Sequence, residues 1–221
     1  MPEISYFRPS MRRRTRGIPA RSGERAVIPE DLRELHGLRI TTELRTALDL
    51  GRLQPTRDLR LWGMDNMLNS GAFTHDELLA EVPRFRGERG VIGLRALAPL
   101  ARIGSQSFGE SSLRGRWYDA GLGEPILQFE VVLADGTTYF LDLADEDLRL
   151  AAEYDGEEWH STPDQQQHDT GRRQRMQDEA GWMFEVMTKE NVFGQRQDAE
   201  TRLRSAARTA RATLGERLWH L

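Results

Sequence analysis

The sequence predicts an α/β fold of the α+β kind: a mixed sheet of about four strands flanked by helices, behind a mostly helical N-terminal module. Three observations predict it. Asp135-Gly136 lies between the apolar runs FEVVL and TTYFLDL, and Asp-Gly in that setting is a strong hairpin signal. From residue 107 onward the elements read α-β-β-β-α-β-α, an order that layers helices on a sheet. Before residue 104 the chain reads mainly as short capped helices with no catalytic cluster.

The elements follow in chain order. Residues 1–28 contain FRPSMRRRTRGIPARSGER, a basic arm without periodicity. RAVIP and GLRIT look like short strands. Thr41 or Thr42 caps the helix ELRTALDLG, which Gly51 should close. Helical stretches follow near 56–69, 75–82 and 88–101. Thr74 with Glu77 three residues later forms a capping box for the second. The N-terminal module thus spans 29–103 and the second unit 104–221. In that unit Ser107 and Glu110 open a helix over 107–120, stopped by Gly121 and Gly123. After the hairpin comes a third strand, 149–155. Thr162, Pro163 and Gln165 open the next helix. Gly171 inside it costs about 1 kcal/mol of helix stability. WMFEVMT is the fourth strand, and an Arg-rich helix over 195–217 ends the chain. No internal repeat is visible.

Composition narrows the function. Of 221 residues, 38% are hydrophobic, enough to build a core, and the net charge of −4 argues against a uniformly basic surface. No cysteine is present, which removes disulfides and thiolate metal sites. No apolar run approaches the roughly 20 residues of a membrane span, so a cytoplasmic protein is expected. The first thirty residues hold seven Arg against three Glu. Lys189 is the single lysine, so any role that needs one has one candidate.

The acids around LDLADEDLRLAAEYDGEEWH carry the chemistry. If the turn is Glu146 to Arg149, Asp145 pairs with Leu150 and Asp142 faces Glu153, at a Cβ separation of roughly 4.5–5.5 Å. If the turn is Ala144 to Asp147, Asp142 faces Arg149 instead. In the first register Asp155 shares the face of Glu153, because strand side chains alternate. Carboxylates on one patch repel, and Mg²⁺ or Mn²⁺ would relieve that repulsion with oxygen ligands. His160 could serve as a base or ligand, with an ordinary pKa near 6.5. His168, Arg172 and Arg175 fall on one helical stripe that could meet phosphates.

Asp142, ten intervening residues and Glu153-x-Asp155, preceded by a helix carrying Glu110, resemble the PD-(D/E)xK nuclease superfamily. HDTGRRQRMQDEAGWMFEVMT after the acidic strands is similar to an uncharacterised domain family related to very-short-patch repair (Vsr) endonucleases. GLRITTELRTALDL and GESSLR resemble AbiEi-like chains of type IV toxin–antitoxin systems. The likeness covers roughly residues 12 to 195. It implies a restriction-endonuclease-like fold and a metal-dependent DNA endonuclease, with a role in phage defence or DNA repair. Asp142 and Glu153, with Glu110, would hold Mg²⁺ or Mn²⁺. Asp155 occupies the position where the superfamily has lysine. His160, Arg172, Arg173 or Lys189 would replace that lysine. Arg12, Arg13, Arg14, Arg172, Arg173, Arg175 and Lys189 would contact nucleic acid. The expected partners are DNA and a toxin or defence-system protein, with a homodimer possible and no membrane. The alternative is a non-catalytic AbiEi-like protein that uses the nuclease fold as a binding scaffold.

Overall fold

The computed structural model describes the backbone of residues 4–7, 20–23, 26–156 and 163–219, and side chains over 26–156 and 170–215. Strands β1 (Ile4–Phe7) and β2 (Ala20–Gly23) pair in parallel within the stretch expected as an arm. Arg12, Arg13 and Arg14 lie outside the described residues.

Within RAVIP, Ala26 to Ile28 form no strand and Pro29 opens a short 3-10 turn, Pro29–Asp31. The hairpin is formed by β3 (Leu32–Leu35) and β4 (Leu38–Thr41), joined by His36-Gly37. Both turn residues have positive φ, 50° and 77°, the geometry that two-residue hairpins require. Thr42 caps α1 (Glu43–Leu53) by accepting the Arg45 N–H. Gly51 does not end α1. It lies inside the helix because α1 passes close to its neighbours there. A Cβ at Gly51 would sit 2.6 Å from Met64 Sδ and 2.7 Å from Leu94 Cδ1, so glycine serves packing rather than termination.

Helices α2 (Arg57–Leu68), α3 (His75–Glu81) and α4 (Val91–Leu97) complete the module. The capping box of Thr74 and Glu77 opens α3 as expected. Leu48, Leu61, Met64, Leu78 and Leu94 lie at the centre of this core. A polar knot closes one side. Asp31 takes Arg45 and Arg84 at 2.5 Å each, while the guanidiniums of Arg45, Arg52 and Arg84 lie 4.4–5.3 Å from the Phe85 ring.

The second half builds one sheet. Helix α5 (Phe108–Asp119) leads into β5 (Ile126–Val132), β6 (Thr138–Asp145) and β7 (Leu150–Asp155). Helix α6 (Pro163–Ala180) then crosses to β8 (Met183–Thr188), followed by α7 (Lys189–Val192) and α8 (Ala199–Trp219). Strand order is β5-β6-β7-β8, with two antiparallel pairs and a parallel β7–β8 pair. This is the mixed, helix-flanked sheet the sequence predicts. Gly136, at φ 83°, makes the Asp135-Gly136 turn. The last helix begins at 199 rather than 195 because α7 and a loop intervene.

Two cores cover the two faces. Leu113, Trp117, Leu150, Ala152, Met187 and Leu203 pack α5 and α8 on one face. Leu141, Ala151, Met176 and Trp182 pack the α6 side on the other. Helices α2 and α5 run side by side. The ion pairs Asp65–Arg114, Asp58–Arg116 and Arg57–Asp119 join them, and both side chains of the first pair are fully buried. No helix among the described residues is long and apolar enough to cross a membrane.

Candidate active site

The turn between β6 and β7 is Glu146 to Arg149. Asp145 pairs with Leu150, Ala144 with Ala151 and Leu143 with Ala152. One step outward, Asp142 stands opposite Glu153. The first of the two registers is therefore the real one.

At that step the ladder is interrupted. Leu127 pairs with Leu143 and Phe129 with Leu141, but Gln128 and Asp142 between them do not pair. Gln128 has φ 50°, a region costly for a residue with a side chain. Packing changes face across the break. Leu127 and Leu143 join the α5/α8 core, whereas Phe129 and Leu141 join the α6 core. Held outliers of this kind cluster at functional sites.

Three acids approach the break from different elements. Glu110 is in the first turn of α5, whose cap Ser107 accepts the Glu110 N–H at 3.1 Å. The Glu110 carboxylate accepts the Gln106 N–H at 2.8 Å and the Gln128 amide at 3.5 Å. Ser107 and Glu110 thus make only half of a capping box, because the carboxylate takes the amide before the cap. Asp142 Oδ2 accepts the Tyr154 backbone N–H at 3.0 Å. Burial, followed by the charges of Glu110 and Glu153, pushes the Asp142 carboxyl up to about 6. The Tyr154 N–H and the charge of Arg172 act the other way.

Glu153 is 4% exposed and differently supplied. Arg172 Nη2 donates to both of its oxygens, at 2.8 and 2.9 Å, and Arg173 Nε donates to Oε2 at 2.7 Å. Both arginines come from α6, which packs on that face. Arg172 and Arg173 therefore meet at one carboxylate. Arg175 does not join them; it pairs with Asp135 at the hairpin turn and with Glu179. Asp155 is exposed at the end of β7, opposite Thr188 on β8, and the exposed Lys189 follows directly. His160 lies outside the described residues. Among the described residues, no three His, Asp or Glu side chains form a ready metal-binding group. The donors nearest the break are hard carboxylate oxygens, the ligand type that Mg²⁺ and Mn²⁺ prefer.

Two curated Mycobacterium tuberculosis proteins are similar to this chain: uncharacterized proteins Rv2248 of strain H37Rv and MT2308 of strain CDC 1551. Each is 33% identical over 161 residues, covering 73% of this chain and 59% of the relative. The chain thus spans under two thirds of the length of these relatives. No family model matches the chain, and no solved structure matches it.

Two contributors to the site escaped the sequence reading. Gln128 reaches Glu110, and nothing in the sequence marked it. Gly109 packs so tightly on Tyr154 that a Cβ would overlap the ring. A glycine in the first turn of a capped helix, next to the acid it presents, was the available hint.

Proposed function

We propose that the chain is a divalent-metal-dependent endonuclease of the PD-(D/E)xK type, similar to very-short-patch repair enzymes, acting on DNA. The observation that supports this most is the convergence of Glu110, Asp142 and Glu153, from α5, β6 and β7, on one break in a four-stranded mixed sheet. Burial first, then the charges of Glu110 and Glu153, raise the Asp142 pKa, a cost that a cation bound there would relieve. Mg²⁺ or Mn²⁺ bound there would stabilise the charge of a phosphoryl transition state.

In this reading Asp142 is the principal metal ligand. Glu110 helps directly or through water, and Glu153 is the third carboxylate. Arg172 and Arg173 supply the positive charge that the superfamily takes from lysine at the position of Asp155. Lys189, with His160, is a further source of a proton-handling or phosphate-holding group. Contacts to phosphate by Arg12, Arg13, Arg14 and these arginines would give affinity that falls with salt and carries little sequence information. A role in defence or repair, a toxin partner and a homodimer belong to the same proposal.

One observation favours a second reading. Glu153 is already neutralised by two guanidiniums, as in a retired site that keeps the fold as a binding scaffold. Plasmid nicking with Mg²⁺ and Mn²⁺ separates the two. Nicking by the wild type that disappears in Asp142→Asn supports the enzyme. Absence of nicking with DNA binding retained supports the scaffold.

A further inference from the structure

Glu153 has a partner that the nuclease reading does not require, and the quality of that pairing is informative. Arg172 does not present the parallel two-nitrogen fork that makes arginine–carboxylate pairs strong. A single nitrogen, Nη2, is shared between both oxygens. Arg172 Nε is buried and has no acceptor, as is also true of Arg52 and Arg114, so that nitrogen gains nothing from the pairing with Glu153. The Arg172 and Arg173 side chains still reach solvent, at 22% and 20% exposure.

The described part of the helix that carries them is lightly anchored. Among the side chains described on α6, Thr170 to Ala180, Met176 is the only fully buried one. Gly171 sits immediately before Arg172, with nothing near where a Cβ would stand. A segment held by buried Met176 and half-buried Ala180, with a glycine beside its charged grip, has few apolar contacts and belongs to the low-stability end of a fold.

We infer that Arg172 and Arg173 are a displaceable latch on Glu153. With no divalent cation present, they neutralise the carboxylate. When a divalent cation takes Glu153, the two guanidiniums are released and turn to a phosphodiester of the substrate. Cation and arginine are thus competing partners of one carboxylate, and the same exchange that completes the metal site creates the phosphate grip. This inference rests on the metal-dependent reading of the site.

The test is calorimetric titration of MnCl₂ into wild type, Arg172→Gln, Arg173→Gln and Glu153→Gln. It is paired with nitrogen NMR of the arginine Nε–H groups during titration of wild type with diamagnetic MgCl₂. The latch requires tighter Mn²⁺ binding in Arg172→Gln, by about tenfold, within the roughly 5–150-fold span of coupled sites. It also requires weaker binding in Glu153→Gln. In wild type, the Arg173 Nε–H resonance must shift on Mg²⁺ saturation. If Arg172→Gln does not fold, Arg173→Gln and the wild-type resonance carry the same decision. Binding of equal strength in wild type and the arginine variants, with an unmoved Arg173 resonance, overturns the latch and leaves the metal site standing. Absence of Mn²⁺ binding in every form removes the metal reading and the latch with it.

Discussion

Glu153 and Arg172 stand on opposite layers, one on β7 and the other on α6, and a single guanidinium nitrogen lies 2.8 and 2.9 Å from the two carboxylate oxygens. With Arg173 added, one negative charge serves two positive ones. Removing it leaves two half-buried guanidiniums facing each other. Glu153→Gln is therefore expected to destabilise the fold by roughly 2–4 kcal/mol, toward the lower part of the range for buried pairs because the arginines reach water. Urea unfolding at neutral pH, without added metal, measures it.

Asp142 behaves in the opposite sense, although it stands opposite Glu153. Its carboxyl is raised from 3.8 to about 6, so between these values the folded chain keeps a proton that the unfolded chain has lost. Stability is highest below about pH 4 with respect to this group, and it falls as pH rises through 6. The penalty at pH 7 is at most about 3 kcal/mol, from some two pKa units. Asp142→Asn keeps an acceptor for the Tyr154 N–H and removes the charge. The variant should be more stable than wild type at pH 7 and show a flatter stability profile between pH 4 and 6. A variant less stable than wild type at pH 7 would contradict the assigned cause.

Gly109 and Tyr154 set the distance between α5 and the end of β7. Gly109→Ala should cost about 1–3 kcal/mol by overpacking, and more if the ring cannot move. Tyr154→Ala removes the obstacle. The double variant should lose clearly less than the sum of the single losses, and a thermodynamic cycle reads the difference. Strict additivity would show that the ring is not what confines position 109.

Asp65 and Arg114 are both fully buried, where α2 meets α5. Asp65 also accepts the Arg102 N–H at 2.9 Å. Asp65→Ala is expected to cost about 3–5 kcal/mol, because Arg114 is left buried without its counter-charge. Replacing both, as Asp65→Leu with Arg114→Met, should recover most of that loss. Chemical denaturation of the two variants measures both effects.

Local signals carried much of the fold. The Asp135-Gly136 turn, the caps at Thr42, Thr74 and Ser107, and the strand ends at Asp145 and Leu150 rest on neighbours in sequence. Gly51 misled for the converse reason. Its neighbours suggest a helix stop, but Met64 and Leu94, distant in sequence, require a glycine inside the helix. RAVIP misled because its apolar content resembles a strand, while His36-Gly37 fixes the hairpin a few residues later. Within the site, the opposition of Asp142 and Glu153 followed from turn length once one register was chosen. The grip of Arg172 and Arg173 on Glu153 was not legible, because it depends on which face α6 covers after the crossover. The positive φ at Gln128 leaves no mark on composition or periodicity.

The three ion pairs between α2 and α5 also bear on how such a chain can be cut and recombined. A cut between Ala101 and Ser107 looks harmless by composition, since it falls between two stretches with separate apolar clusters. Any fragment that begins there carries Arg114 in a wall with nothing behind it, together with Arg116 and Asp119 stripped of Asp58 and Arg57. The sheet half cannot be transplanted onto a new partner unless the incoming surface brings its own aspartates at those heights. A division of this chain that keeps it stable therefore keeps both sides of this charged seam together.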